Sequence, residues 1–118
     1  MSFLFQLIFL FMTAGQPRQV LLFYKEDGEV ILKKQLAEFE KNEPGMKERD
    51  IKVISFKKSA ENDHLFKKWK IKESDSFTFL LIGRDGGEKY RSGTFVSHQD
   101  LFGKIDAMPM RRSEAGKN

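Results

Sequence analysis

Chemistry in this chain has to come from guanidinium, ammonium, carboxylate and imidazole groups, because its 118 residues include no cysteine and two histidines. Thiol-disulfide exchange, peroxide reduction by cysteine and cysteine-type glutathione transfer all need a thiolate, so they are excluded. His64 and His98 have no serine or carboxylate partner at a diagnostic spacing, and two histidines fall short of a metal site. No metal and no cofactor is therefore expected. Glu48, Arg49 and Asp50 could form an acid-base set, although a charged loop entering a strand accounts for them as well.

The basic residues allow more. In Gly83 to Gly87, successive backbone N–H groups flanked by Arg84, Lys89 and Arg91 could cradle an anion, or the segment is an ordinary hairpin turn with solvated charges. Phe66-Lys67-Lys68-Trp69-Lys70-Ile71 has the basic-basic-x-basic pattern of polyanion-binding segments, with Trp69 available to stack. The plain alternative is a solvated helix face whose tryptophan points into the core. Arg111 and Arg112 follow a helix end whose unpaired carbonyls attract cations, and one of them can pair with Asp106, Asp85 or Asp50. They could also belong to a ligand-facing surface. Arg49, Asp50, Asp85 and Asp106 are thus candidates for a structural charge network.

Periodicity shows which elements must position these groups. Val20 to Tyr24 is a continuous apolar run of strand length, as expected of a central strand covered on both faces. Asp27 can cap a helix after it, Glu29 suits the positive end of the helix dipole, and Leu32, Leu36 and Phe39 make one apolar stripe. That helix is expected to stop at Asn42-Glu43-Pro44-Gly45. Ile51 to Phe56 reads as a second strand, parallel to the first through a right-handed crossover. A shorter helix follows, with Leu65, Phe66 and Trp69 inward and Lys67, Lys68 and Lys70 outward.

Phe77 to Ile82 and Glu88 to Ser92 form an antiparallel hairpin, whose Asp85-Gly86-Gly87 supplies the positive φ angles of a tight reversal. Ser97 opens the last helix with Asp100 at its third position, Val96 can pack on Leu101, and Ile105 and Met108 continue the stripe until Pro109. The domain is expected to span residues 16–112, with 113–118 a flexible basic tail.

One hydrophobic core is the limit for a chain of this length, and its twelve phenylalanines can fill it. Lys plus Arg number 21 against 17 Asp plus Glu, a formal net charge of +4 that mildly favours acidic partners without diagnosing nucleic acid. Residues 1–15, MSFLFQLIFLFMTAG, carry no charged side chain and read as a secretory signal with a cleavage neighbourhood at Thr13-Ala14-Gly15. The apolar block is too short for a stable membrane span, and a buried N-terminal strand or helix is the alternative.

The order βαβαββα looks like the thioredoxin layout: an α/β fold with a four-stranded mixed sheet flanked by helices. A thioredoxin places its CxxC where this chain has Asp27-Gly28-Glu29-Val30, and its cis-proline where this chain has Ser74-Asp75-Ser76, so both redox fixtures are missing. Glu48-Arg49-Asp50, the segment Leu81 to Gly87 and the segment Ile105 to Arg112 together resemble a domain of unknown function. That domain occurs in bacterial exported proteins and in vertebrate extracellular-matrix proteins of the sushi-repeat and coiled-coil-domain types. The resemblance spans about Arg18 to Glu114. It implies a thioredoxin-like fold, periplasmic or extracellular location and adhesion or matrix association, and it carries over no catalytic residue.

Two function classes follow. The first is an exported, non-catalytic binding module on a redox-inactive scaffold, holding acidic polysaccharide or an envelope or matrix protein. The second is a cysteine-independent enzyme, which requires a concave site with converging polar groups.

Overall fold

Every side chain from Val20 to Phe23 and from Phe77 to Ile82 is buried in the computed structural model, which describes residues 16–116. The expected signal segment 1–15 and residues 117–118 lie outside the described residues. Strand β1 (Arg18–Tyr24) pairs in parallel with β2 (Ile51–Lys57), from Arg18 opposite Ile51 to Tyr24 opposite Lys57. On its other side it pairs antiparallel with β3 (Phe77–Ile82), and β4 (Glu88–Ser92) completes the order β2-β1-β3-β4 with an irregularity at Leu81/Ile82. Because both central strands are covered on both faces, their side chains are apolar at consecutive rather than alternate positions.

Alternation along the strands divides the core in two. Val20, Leu22, Phe77, Phe79 and Leu81 pack with Leu32 and Phe39 of α1 (Glu29–Lys41), Met46 of α2 (Glu43–Glu48), and Leu101 and Ile105 of α4 (His98–Asp106). Leu21, Phe23, Leu80 and Ile82 pack with Phe66 of α3 (Asp63–Lys68) and with the partly buried Trp69 and Ile71. Phe23 anchors this second face between two rings, 5.1 Å from Phe56 and edge-on to Phe66 at 4.9 Å. Truncating such a ring costs about 3–5 kcal/mol. The four-stranded mixed sheet with helices on both faces matches the thioredoxin-like expectation.

Several local expectations need correction. Asp27 caps nothing: Glu26–Gly28 forms a single 3-10 turn, and α1 starts after it with Gly28 as its N-cap. Leu36 is 38% exposed, whereas Gln35 is fully buried. The inward row is therefore Leu32, Gln35 and Phe39, and the Gln35 amide is satisfied by donating to the Val96 carbonyl at 2.8 Å and accepting from the Val96 N–H at 2.8 Å. The segment Asn42 to Gly45 ends α1 but begins α2, since Pro44 lies in the first turn, where its missing N–H costs nothing. Gly45 is also needed for packing, because a Cβ there would lie 2.5 Å from Phe102 Cε2.

Pro109 behaves in the same way. It opens α5 (Pro109–Gly116), so residues expected in a flexible tail are helical through Gly116. The start of α4 matches its reading: Ser97 Oγ accepts from the Asp100 N–H at 3.2 Å, and Val96 and Leu101 are buried in one cluster.

Two glycines give a direct test of this packing. A methyl group on the buried Gly28 would overlap the Ser76 carbonyl oxygen, whereas one on Gly103, exposed in α4, would meet nothing within 4 Å. Gly28→Ala should destabilise by about 1–3 kcal/mol, and Gly103→Ala should stabilise by about 0.5–1 kcal/mol. Urea denaturation of the two variants should move the midpoint in opposite directions.

Candidate functional site: an arginine-carboxylate cluster beside an apolar groove

The segments 48–50, 81–87 and 105–112 meet at one end of the sheet, where β1 and β2 begin and β3 ends. Arg18, the first residue of β1, is 1% exposed there. Its Nη1 donates to the Arg49 carbonyl at 2.8 Å, and its two Nη atoms face the Glu114 carboxylate of α5 at 3.4 and 3.3 Å. Arg84 donates through Nε to Glu114 at 2.9 Å, and through Nη1 to Asp50 at 2.9 Å and the Gln16 carbonyl at 3.1 Å.

Arg49 donates through Nε and Nη2 to the two Asp106 carboxylate oxygens, at 3.0 and 2.9 Å, while its guanidinium carbon sits 4.0 Å from the centre of the Phe102 ring. Arg111, nearly buried, donates to Asp106 at 3.2 Å and to Glu48. Four arginines thus face Glu48, Asp50, Asp106 and Glu114, and the cluster is neutral as a whole. Hydrogen bonds from Arg49 hold the Asp106 carboxyl below its ordinary value, burial opposes this, and Arg111 adds to it. For Glu114 burial is the largest influence and acts upward, yet the bonds from Arg84 and Arg18 outweigh it and leave the group lowered.

Arg111 meets Asp106, one of three partners open to it from the sequence, while Asp50 is held by Arg84 and Asp85 by Lys89 at 2.8 Å. Arg112 is exposed and has no side-chain partner among the described residues. Sequence reasoning missed Arg18 and Glu114. The first left a signal, a charged residue heading a strand otherwise buried on both faces; the second left none.

Arg84 and Lys89 share one groove beside the turn, and Arg91 does not converge with them. The Asp85 carboxylate folds back over the turn to accept from the Gly87 N–H at 3.0 Å, so the chain's own anion occupies that amide. Arg91 bonds Glu88 and reaches the carbonyls of Trp69 at 2.6 Å and Lys70 at 3.2 Å, the partners a cation finds at the end of α3. Beside the turn runs a groove of about 300 Å³, lined by Arg18, Arg84, Lys89, Met108, Pro109 and Met110 among others.

The lysines of α3 lie on the opposite face of the sheet from Arg111. Lys67 pairs with Asp63 at 3.2 Å, and Lys68 Nζ stands 5.4 Å from the centre of the Trp69 ring. Lys68, Lys70 and Lys72 are exposed and have no carboxylate partner among the described residues. Of these only Lys72 lines the neighbouring cleft of about 210 Å³, with Lys25, Lys58, Phe66, Ile71, Glu73 and Asp75.

His98 has a partner that no local spacing could show. Glu38 Oε2, sixty residues away, accepts from the His98 backbone N–H at 2.9 Å and lies 2.7 Å from its ring Nδ1. These two contacts, the backbone one first, lower the Glu38 carboxyl.

The family model described as "Domain of unknown function (DUF4174)" matches residues 9–114. The chain belongs to that family. No similar sequence was found among curated proteins. Among solved structures, a malarial protein is 23% identical with a TM-score of 0.59, covering 77% of this chain and 96% of its own. A second, thioredoxin-2, described as a component of the malaria parasite's protein secretion machinery, is 22% identical with a TM-score of 0.58, covering 78% and 84%. These likenesses show a thioredoxin-like fold. In this DUF4174 domain the turn that would carry a CxxC is pressed onto Ser76, whose carbonyl accepts from the Lys25 N–H at 2.9 Å.

The lowered carboxyls set an acid dependence. A group with a depressed folded pKa contributes stability that is present above its unfolded value, about 4 for Asp and Glu, and is lost as pH falls through the folded value. Stability should therefore decline below about pH 5. Because Asp106 is 46% exposed, Asp106→Asn should cost only about 1 kcal/mol at pH 7 and flatten the decline. Urea midpoints for both proteins between pH 7 and pH 3 check this; parallel curves count against the cluster.

Proposed function

We propose that this domain is an exported, non-catalytic binding module that holds acidic polymers on the lysine face of α3 and the segment after it. The observation that carries the reading is a contrast in partners. Every arginine of the cluster is bound to a carboxylate, whereas Lys68, Lys70 and Lys72 project from one short exposed segment without one among the described residues. Trp69 holds that segment to the core, and Arg91 fixes its carbonyls, so the charges ride on an ordered support. Acidic polysaccharide or an acidic envelope or matrix protein would be held mainly by charge, with strong salt dependence and little chemical selectivity.

Export is supported by the apolar block 3–12 followed by small residues, and by the resemblance of the three motifs to exported and matrix proteins. For an enzyme of cysteine-independent chemistry the candidates are the Glu38–His98 pair, to whose imidazole no hydroxyl is bonded among the described residues, and Glu48 and Asp50, whose carboxylates are bound by arginines.

Retention on heparin tests the lysine face. Lys68→Ala, Lys70→Asn and Lys72→Ala are combined, asparagine being chosen because Lys70 has a φ of 52°, a region it tolerates. The variant should elute at clearly lower salt than wild type, and Arg112→Ala should elute with wild type. Elution of the triple variant at the wild-type salt concentration would reduce the segment to a solvated helix face. Export is checked separately by intact mass: the native protein should begin near Ala14 or Gly15, and Met1 retained on a cytoplasmic protein would sink it.

A further inference from the structure

We propose that Arg18 and Arg84 form a carboxylate receptor which Glu114 fills from within the chain, and that a small aliphatic monocarboxylate lying in the adjoining groove takes Glu114's place. The site is separate from the lysine face and does not depend on it. Three hydrogen bonds converge on one carboxylate, two from Arg18 and one from Arg84, with Nε of Arg84 the closest at 2.9 Å, and Arg111 Nη1 stands farther off at 3.9 Å. Two guanidiniums holding one planar carboxylate is the arrangement by which proteins recognise carboxylate ligands.

Both arginines are held in place by groups other than Glu114. Arg18 is buried at the head of β1 and donates to the Arg49 carbonyl; Arg84 donates to Asp50 and to the Gln16 carbonyl. Their donors therefore stay aimed at the same point when the Glu114 side chain rotates away, and the cost of organising the receptor is already met. Helix α5 need not leave, because Arg111 ties it to Asp106 and Glu48, and Met108 packs against the core. Charge supplies the demand for a replacement. With Glu114 in place, two arginines face Glu114 and Asp50. With it withdrawn, one positive charge remains unpaired beside a largely buried guanidinium, which is costly unless another anion enters.

The groove decides what that anion carries. Both arginines line it together with Gly83, Asp85 and Lys89 of the hairpin, where Lys89 already pairs the Asp85 carboxylate at 2.8 Å, and its apolar wall is Met108, Pro109 and Met110, the last 52% exposed. Thioether and pyrrolidine surfaces accept an aliphatic body of no fixed shape. A volume of about 300 Å³ accommodates a molecule of about ten non-hydrogen atoms, at roughly 30 Å³ for each water-sized unit. Inorganic phosphate would leave the groove unfilled, and a long polymer would exceed it.

Octanoate is the probe, with octanamide as its uncharged counterpart, titrated into full-length protein and followed by side-chain NMR. Octanoate should saturably shift the Arg84 Nε–H and the Met108 and Met110 methyls, and octanamide should bind about tenfold more weakly or not at all. Glu114→Gln removes the competing charge while keeping the shape, and should bind octanoate about tenfold more tightly than wild type. Met110→Asp, at an exposed position, should abolish binding by adding to the groove a negative charge that, unlike Asp85, has no lysine partner. Equal affinity of wild type and Glu114→Gln would overturn the proposal, as would unchanged binding by Met110→Asp. So would the absence of any saturable shift in wild type up to the solubility of the probe. If Glu114→Gln fails to fold, the wild-type titration and Met110→Asp decide alone.

Discussion

The structure depends on β1 and β3 lying side by side with both faces covered. A pair of strands whose side chains are apolar on each face cannot be satisfied by one layer of helices, so α1, α2 and α4 close one side and α3 the other. Parallel pairing of β1 with β2 requires a crossover, which α1 and α2 provide, and the antiparallel β3–β4 pair needs only a turn. Both ends of the sheet inherit their character from this arrangement. At one end the loop after β1 is pinned to Ser76; at the other, the charged residues that open β1 and β2 are forced together.

What was legible in the sequence follows the range of the interaction responsible. Strands announced by runs of apolar residues, the hairpin at Asp85-Gly86-Gly87 and the Ser97 cap depend on neighbours within a few positions, and each stands where periodicity placed it. The helices before Pro44 and Pro109 end where the sequence places their ends, while the helices that begin there were not legible, for one physical reason. Proline ends the helix before it and equally suits the first turn of the next, and only tertiary packing decides whether a next helix forms. Gln35 was displaced by Leu36 in the expected stripe because apolarity is a proxy for burial, and it fails where an amide finds both of its bonds, here on Val96.

The site was legible to a lesser degree. Segments 48–50, 81–87 and 105–112 could be singled out one by one, yet that they meet depends on strand order, and pairs such as Arg18 with Glu114 span 96 positions. Local spacing carries no information at that range. The same holds for Glu38 and His98, whose contact joins α1 to α4 across a separation that no motif encodes. Lysines behaved differently: their exposure on α3 followed from helical periodicity, because a solvated face needs no distant partner to define it.

The distribution of charge therefore separates two kinds of basic residue. Arginine, with a planar fork that matches carboxylates and less need for water, holds the end of the sheet together; lysine, strongly hydrated and flexible, remains at the surface. The loop after β1 carries no thiol and is held to Ser76 by a backbone hydrogen bond. Ion pairs gather at the opposite end of the sheet and, among the described residues, unpaired lysines on α3 and the segment after it. At the first of these, ion pairs between four arginines and four carboxylates order the chain, and Glu114 of α5 ties the head of β1 to the turn after β3 by pairing with both Arg18 and Arg84.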